Sequence, residues 1–98
     1  MFVSVCIIAY NEEKALPSLL SDIAKQTYSH KDIEVVLVDS MSTDKTKEIM
    51  TNFATQNNDF KSILVKDNPK RKQASGWNIA INSSKGDVII RIDAHTMI

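Results

Sequence analysis

Glycine is scarce in this 98-residue chain, with 2 residues, and cysteine occurs once. So few glycines cannot build a glycine-rich phosphate cradle. No Gly-x-Gly-x-x-Gly follows the first apolar run, and no Gly-Lys-Ser/Thr occurs anywhere, so the usual dinucleotide and P-loop devices are both excluded. A single cysteine excludes an intramolecular disulfide. Cys6 sits in an apolar run and reads as a small buried hydrophobe, which suits a reducing, cytoplasmic setting. Neither sign of charge dominates, with Lys+Arg 12 against Asp+Glu 12 and no basic stripe, which argues against a nucleic-acid partner held by bulk charge. No apolar run reaches the roughly 18 residues of a transmembrane helix. The run Phe2 to Ala9 is short, and Tyr10-Asn11-Glu12-Glu13 after it is unlike a signal-peptide cleavage site. Neither a Ser/His/Asp nor a Cys/His pairing has local support. Repeats, linkers and low-complexity segments are absent too, so the length fits a single domain with little stability in reserve.

What the chain does have is short apolar runs alternating with amphipathic ones. Val3 to Ala9 is nearly continuous and β-rich, as expected of a strand covered on both faces. Pro17 suits the first turn of a helix, and Leu16, Leu19, Leu20, Ile23 and Ala24 follow at helical spacing. Ile33 to Val38 predicts a second strand with Asp39 at its carboxyl end. Ser40 to Asp44 offers cap-forming side chains, and a helix carrying Ile49, Met50 and Phe53 on one side comes next. Lys61 to Val65 predicts a third strand, shorter and more exposed. The basic loop Lys66, Lys70, Arg71 and Lys72 leads to a third helix marked by Ala74, Trp77, Ala80 and Ile81, with Gly76 where another element approaches closely. A fourth strand starts at Asp87 or Val88 and ends on Asp93. The order β-α-β-α-β-α-β predicts an α/β three-layer sandwich around a parallel sheet with right-handed crossovers.

In such a sheet every strand delivers its carboxyl end to one edge, where ligands bind. That edge gathers Tyr10, Asn11 and Glu12 from strand one and Asp39 from strand two. Strand three adds the basic loop, and strand four adds Asp93 and His95. The set suits an anionic ligand that carries a ring. Tyr10 can stack on a base or merely cover the sheet edge. Asp39 can accept a hydrogen bond from a base or a ribose, or cap the helix after it. Arg71 can grip phosphate as a fork, or lie with Lys70 and Lys72 in a solvated loop. Asp93 and His95, two residues apart on extended backbone, project to one side and can share a divalent cation; alternatively they are turn and loop residues. Trp77 reads as core on a face with Ala74 and Ile81, and Asn78 near that face can reach the site.

The segment Val5-Cys6-Ile7-Ile8-Ala9-Tyr10-Asn11-Glu12-Glu13 resembles the opening strand and turn of family 2 glycosyltransferases, inverting enzymes of the GT-A fold. Glu34 to Thr46 resembles their second-strand signature, and Ile90-Arg91-Ile92-Asp93-Ala94-His95 resembles their Asp-x-Asp motif, in the Asp-Ala-His form of exopolysaccharide-type members. The three segments stand in the family's order and cover nearly the whole chain. The resemblance implies that residues 1–98 are the nucleotide-sugar-binding half of a GT-A domain. The donor would be a nucleotide diphosphosugar, usually UDP-linked. Tyr10, Asn11, Glu12, Asp39, Arg71 and Asp93 would contact the nucleotide, and Asp93 and His95 would hold Mn²⁺ or Mg²⁺. His95 departs from the second Asp of many members and is a neutral ligand. The acceptor site and acidic general base are expected beyond Ile98, and the parent's setting is the cytoplasm or the cytoplasmic face of a membrane. Two other functions stay open on the residues alone: a non-catalytic nucleotide-binding module, and a doubly wound interaction domain without nucleotide. A homo-oligomer is expected, because strand four is apolar on both faces and an uncovered apolar strand edge invites pairing.

Overall fold

The structure is a computed structural model that describes residues 2–25, 29–57 and 59–93, the side chain of Asp93 excepted. Its elements follow the expected alternation: β1 (Val3–Ala9), α1 (Leu16–Ala24), β2 (Ile33–Asp39), α2 (Thr46–Gln56), β3 (Ser62–Asp67), α3 (Gln73–Ser83) and β4 (Val88–Asp93). A 3-10 turn, His30–Asp32, precedes β2. The strands form one parallel sheet in the order β3-β2-β1-β4.

β1 and β2 lie in the middle of that order, which explains their composition. Each has a neighbour on both sides and helices over both faces, so every residue of β2 is buried, as is β1 from Ser4 onward. Alternate residues feed two cores. Val5, Ile7, Val35 and Leu37 meet Leu16, Leu19, Leu20 and Ile23 of α1 and Met50 and Phe53 of α2 on one face. Cys6, Ile8, Val36 and Val38 meet Ala80 of α3 on the other, with Trp77 partly buried against them. Helices therefore flank both faces of the sheet in three layers. Leu37 and Met50 are fully enclosed, and burying side chains of this kind contributes roughly 1.5–3 kcal/mol each.

The third helix differs in rotation from its sequence reading. Ala74 is exposed and Ile81 is 41% exposed, whereas Gly76 and Ala80 face the sheet. A Cβ on Gly76 would stand 3.0 Å from Ile8 Cδ1, so the smallest residues, not the largest, mark the inner face. Arg91 of β4 then lies over the Trp77 ring, 5.4 Å from its centroid. Cys6 is buried as expected. Burial pushes its thiol up from the ordinary range, against the opposing pull of a contact to Ser84 Oγ at 3.0 Å, and the Glu34 carboxylate adds to the upward push. None of the helices among the described residues is long and apolar enough to cross a membrane.

Candidate functional site

The parallel register brings the strand ends to one edge in steps. Ala9 pairs with Asp39, Asp39 with Asp67, and Ile8 with Asp93. The ladder runs on past the strands: Ser40 N donates to the Ala9 carbonyl at 3.0 Å, and Asn68 N to the Asp39 carbonyl at 2.8 Å. The chain then has to turn sharply at each end to enter a helix. Asn11, Met41 and Arg71 do so with left-handed backbone, φ 50, 61 and 60°. For non-glycine residues such conformations cost of order 1–3 kcal/mol and persist where the surroundings enforce them.

The surroundings here are hydrogen bonds between loops. Asn11 Oδ1 accepts from Thr43 N at 2.8 Å, while Asn11 N donates to Ser42 Oγ at 2.9 Å. Glu12 N donates to Thr46 Oγ1 at 2.9 Å and Glu13 N to Asp44 Oδ2 at 3.3 Å. The Asp39 carboxylate, buried at the end of β2, accepts from Ser42 N at 3.2 and 3.4 Å. Asn68, fully buried, joins the remaining loops. Its Nδ2 donates to Ser40 Oγ and to the Lys72 carbonyl, and its Oδ1 accepts from Ser75 Oγ at 2.8 Å. The turn that carries Arg71 closes on Asn68 as well, with Arg71 N donating to its carbonyl at 3.1 Å.

Above these braces lies a cleft of about 310 Å³ lined by Ile8, Ala9, Tyr10, Glu12, Ser40, Arg71 and Gln73. That is at the small end of ligand-binding cavities. Its floor is the carboxyl end of β1; its walls are an aromatic ring, a carboxylate, a guanidinium and the first residue of α3. Of the residues singled out in the sequence, Tyr10, Glu12 and Arg71 line the cleft. Asn11 and Asp39 are not in its lining but hold its loops; Asp39 does accept a backbone hydrogen bond, as a capping residue would. Lys66, Lys70 and Lys72 are exposed and not part of the lining, and Asn78 is exposed on α3. Asp93 has its backbone beside Ile8, a floor residue, its side chain lying outside the described part; His95 lies outside the described residues altogether. Among the described residues no three metal-ligating side chains cluster. Gln73 and Asn68 escaped the sequence reading, and Ser40 entered it as a cap-forming residue, not as part of the site. Their signal was position alone, directly after an acidic strand end or at a helix start, and such positions are common.

A family model described as "Glycosyl transferase family 2" matches residues 4–98. A dolichyl N-acetyl-alpha-D-glucosaminyl phosphate 3-beta-D-2,3-diacetamido-2,3-dideoxy-beta-D-glucuronosyltransferase from Methanococcus voltae is 34% identical over 94 residues, which are 96% of this chain and 29% of that protein. The 1–349 fragment of TarS from S. aureus superposes with a TM-score of 0.85 at 29% identity, covering 96% of this chain and 27% of the fragment. The same fragment in complex with UDP-GlcNAc gives 0.77 at 28% identity, with 96% and 26% covered. The mannosyltransferase PcManGT from Pyrobaculum calidifontis, in complex with GDP-Man and Mn2+, gives 0.85 at 30% identity over 94% of this chain and 27% of that one. The chain thus spans under a third of the length of these proteins. Its parallel three-layer architecture is the corresponding part of a GT-A transferase fold, and the chain belongs to glycosyl transferase family 2.

Proposed function

We propose that residues 1–98 bind the nucleotide end of a nucleotide diphosphosugar, UDP-linked, for a parent enzyme that transfers the sugar to an acceptor hydroxyl with inversion during glycan synthesis. The observation that carries this is the cleft at the carboxyl ends of β1 and β2, with Tyr10, Glu12, Ser40, Arg71 and Gln73 in its walls. Tyr10 offers a face on which a base stacks. Arg71 offers a planar fork for a phosphate, and the first turn of α3 adds the positive end of a helix dipole next to it. Asn11, Asp39 and Asn68 keep these groups in place before the ligand arrives, which lowers the ordering cost of binding. TarS with UDP-GlcNAc and PcManGT with GDP-Man and Mn2+ support a nucleotide-sugar donor.

Asp93 and His95 are the residues proposed to hold Mn²⁺ or Mg²⁺. Such an ion neutralises charge on a leaving diphosphate when bound. Deprotonation of the acceptor is assigned to a carboxylate outside residues 1–98.

Calorimetry of UDP with and without Mn²⁺ tests the assignment. Binding is expected to strengthen with the ion and to weaken in Asp39→Ala, Asp93→Ala and Arg71→Ala. Binding untouched by both aspartate substitutions would remove the site. Tight UDP binding by the natural full-length protein with no sugar transfer to any acceptor would favour the non-catalytic module.

A further inference from the structure

At the opposite edge of the sheet, where the strands begin, one carboxylate is buried. Glu34 is 2% exposed and has no cationic partner among the described residues. Neutral donors surround it instead. Oε2 accepts from Ser4 Oγ at 2.7 Å and from Lys85 N at 2.9 Å, and Oε1 accepts from Ser62 Oγ at 3.4 Å. Ser4 Oγ in turn accepts from Gly86 N at 2.8 Å. A residue at the start of each of β1, β2 and β3 is thus joined to the two residues that lead into β4. Asp87 extends the contact, its N–H donating to the Phe2 carbonyl at 2.7 Å and its carboxylate accepting from Phe2 N at 3.2 Å.

This arrangement bears on a problem specific to β4. Among the described residues it pairs with β1 alone. Its far end distinguishes the two faces, with Ile92 packed on the α1–α2 core and Arg91 over Trp77, but its entry half does so weakly: Ile89 and Ile90 point to opposite faces and are 39% and 45% exposed. A slip of one residue is opposed by Ile92 and Arg91 at the far end but costs little burial at Val88, Ile89 and Ile90, so at its entry the register is weakly specified by side chains. The same slip would move Asp93 from beside Ile8 and reverse the face it serves. The bonds of Lys85 and Gly86 to Glu34 and Ser4 admit no such slip. Each uses a backbone N–H at a fixed position in the chain, and loss of either bond takes one donor from the buried Glu34–Ser4 pair.

We propose that Glu34 and Ser4 are positioning residues for the phosphate end of the site. They lock the entry of β4, fix its register on β1, and thereby place Asp93. This rests on the reading of Asp93 as a cation-binding residue. Ser4 is four residues before Ile8, roughly 13 Å along the strand, so neither residue touches the cleft.

The test uses the natural full-length protein, with UDP and Mn²⁺ as probes, and measures UDP affinity with and without the ion. Amide exchange across residues 88–93 reports the register. Glu34→Ala and Ser4→Ala should keep metal-free UDP affinity and lose the Mn²⁺ enhancement by about tenfold, the lower range for groups that orient a metal ligand. Amide protection in β4 should fall with it. Glu34→Gln should retain both, because its amide oxygen still accepts from Ser4 and Lys85 and its NH₂ can donate to Ser62 Oγ. Ser4→Ala deletes a single hydroxyl and serves if Glu34→Ala does not fold. Enhancement lost in Asp93→Ala but kept in Ser4→Ala and Glu34→Ala would overturn the proposal alone, as would a parallel loss of metal-free UDP binding. An absent enhancement in the unsubstituted protein, or one that survives Asp93→Ala, would overturn the reading of Asp93 and the proposal with it.

Discussion

Asp44 shows how single side chains hold the site's loops. Burial pushes its carboxyl up, but hydrogen bonds from the Thr46 hydroxyl and amide and from Glu13 N outweigh that and leave it below the usual range. Asp59 is lowered in a similar way, chiefly by its hydrogen bond to His30. A carboxyl whose folded value is depressed contributes stability above its unfolded value, and that contribution is lost as the pH falls through the folded value. Both groups start from an ordinary value of 3.8, so the loss is expected below about pH 4. Asp44→Asn should therefore lower the urea midpoint at pH 7, and the gap from the unsubstituted protein should shrink by pH 3. A gap that does not change with pH would show that the carboxylate's charge is irrelevant to the brace. The loop hydrogen bonds also explain what the sequence could disclose about the site. Tyr10, Glu12 and Arg71 were legible because their chemistry suits a nucleotide and they follow strands. Asn11 and Asp39 were legible as residues of interest, but a side chain that holds a loop and one that contacts a ligand look alike in a sequence. Asn68 was not legible, since an Asn before Pro69 reads as an ordinary turn.

At the scale of elements, the glycines mark the closest approaches. A Cβ on Gly86 would lie 2.6 Å from Ser4 N and 3.0 Å from the Val3 carbonyl carbon, both backbone atoms that cannot step aside. Gly86→Ala should push the start of β4 off β1 and destabilise the fold by about 1–3 kcal/mol, the usual cost of overpacking. Chemical denaturation would read this, and a midpoint equal to that of the unsubstituted protein would show that β4 is not held tightly at its entry. A tight contact of this kind with a distant strand leaves no local trace in the sequence around Gly86. The strands themselves were legible, since β1 and β2 are covered on both faces and so are nearly continuous apolar runs. The rotation of α3 was not. Its inner face is Gly76 and Ala80, while Ile81 points outward, so hydrophobic periodicity selected the wrong stripe. Nor does the alternating pattern contain the order β3-β2-β1-β4, because each crossover can place its strand on either side of the last.

Among the described residues the sheet has two different edges. β3 lies at one, with Lys61 just before it, Lys66 within it and the Lys47–Asp67 ion pair at its end. Charges of this kind discourage pairing with a second chain. β4 lies at the other edge, with Val88, Ile89 and Ile90 exposed on consecutive positions and therefore on both faces. That is the pattern of a strand built to have neighbours, and it agrees with relatives more than three times as long as this chain. Residues 1–98 produced alone would present this strand to solvent. A chain of that size has little stability to offset such exposure, whereas pairing β4 with β4 of a second copy about a two-fold axis would cover both edges at once. The isolated chain is therefore expected to be a dimer at micromolar concentration. Light scattering would measure its mass, and Ile90→Lys, which puts a charge on the exposed strand far from the cleft-lining residues, should return it to a monomer. A monomeric, soluble unsubstituted chain would show that β4 tolerates exposure. A dimer unaffected by Ile90→Lys would move the interface elsewhere, with the mixed groove between α1 and α2, where Leu20, Ala24, Ile49 and Phe53 lie beside Ser21, Asn52 and Gln56, as the next surface to substitute.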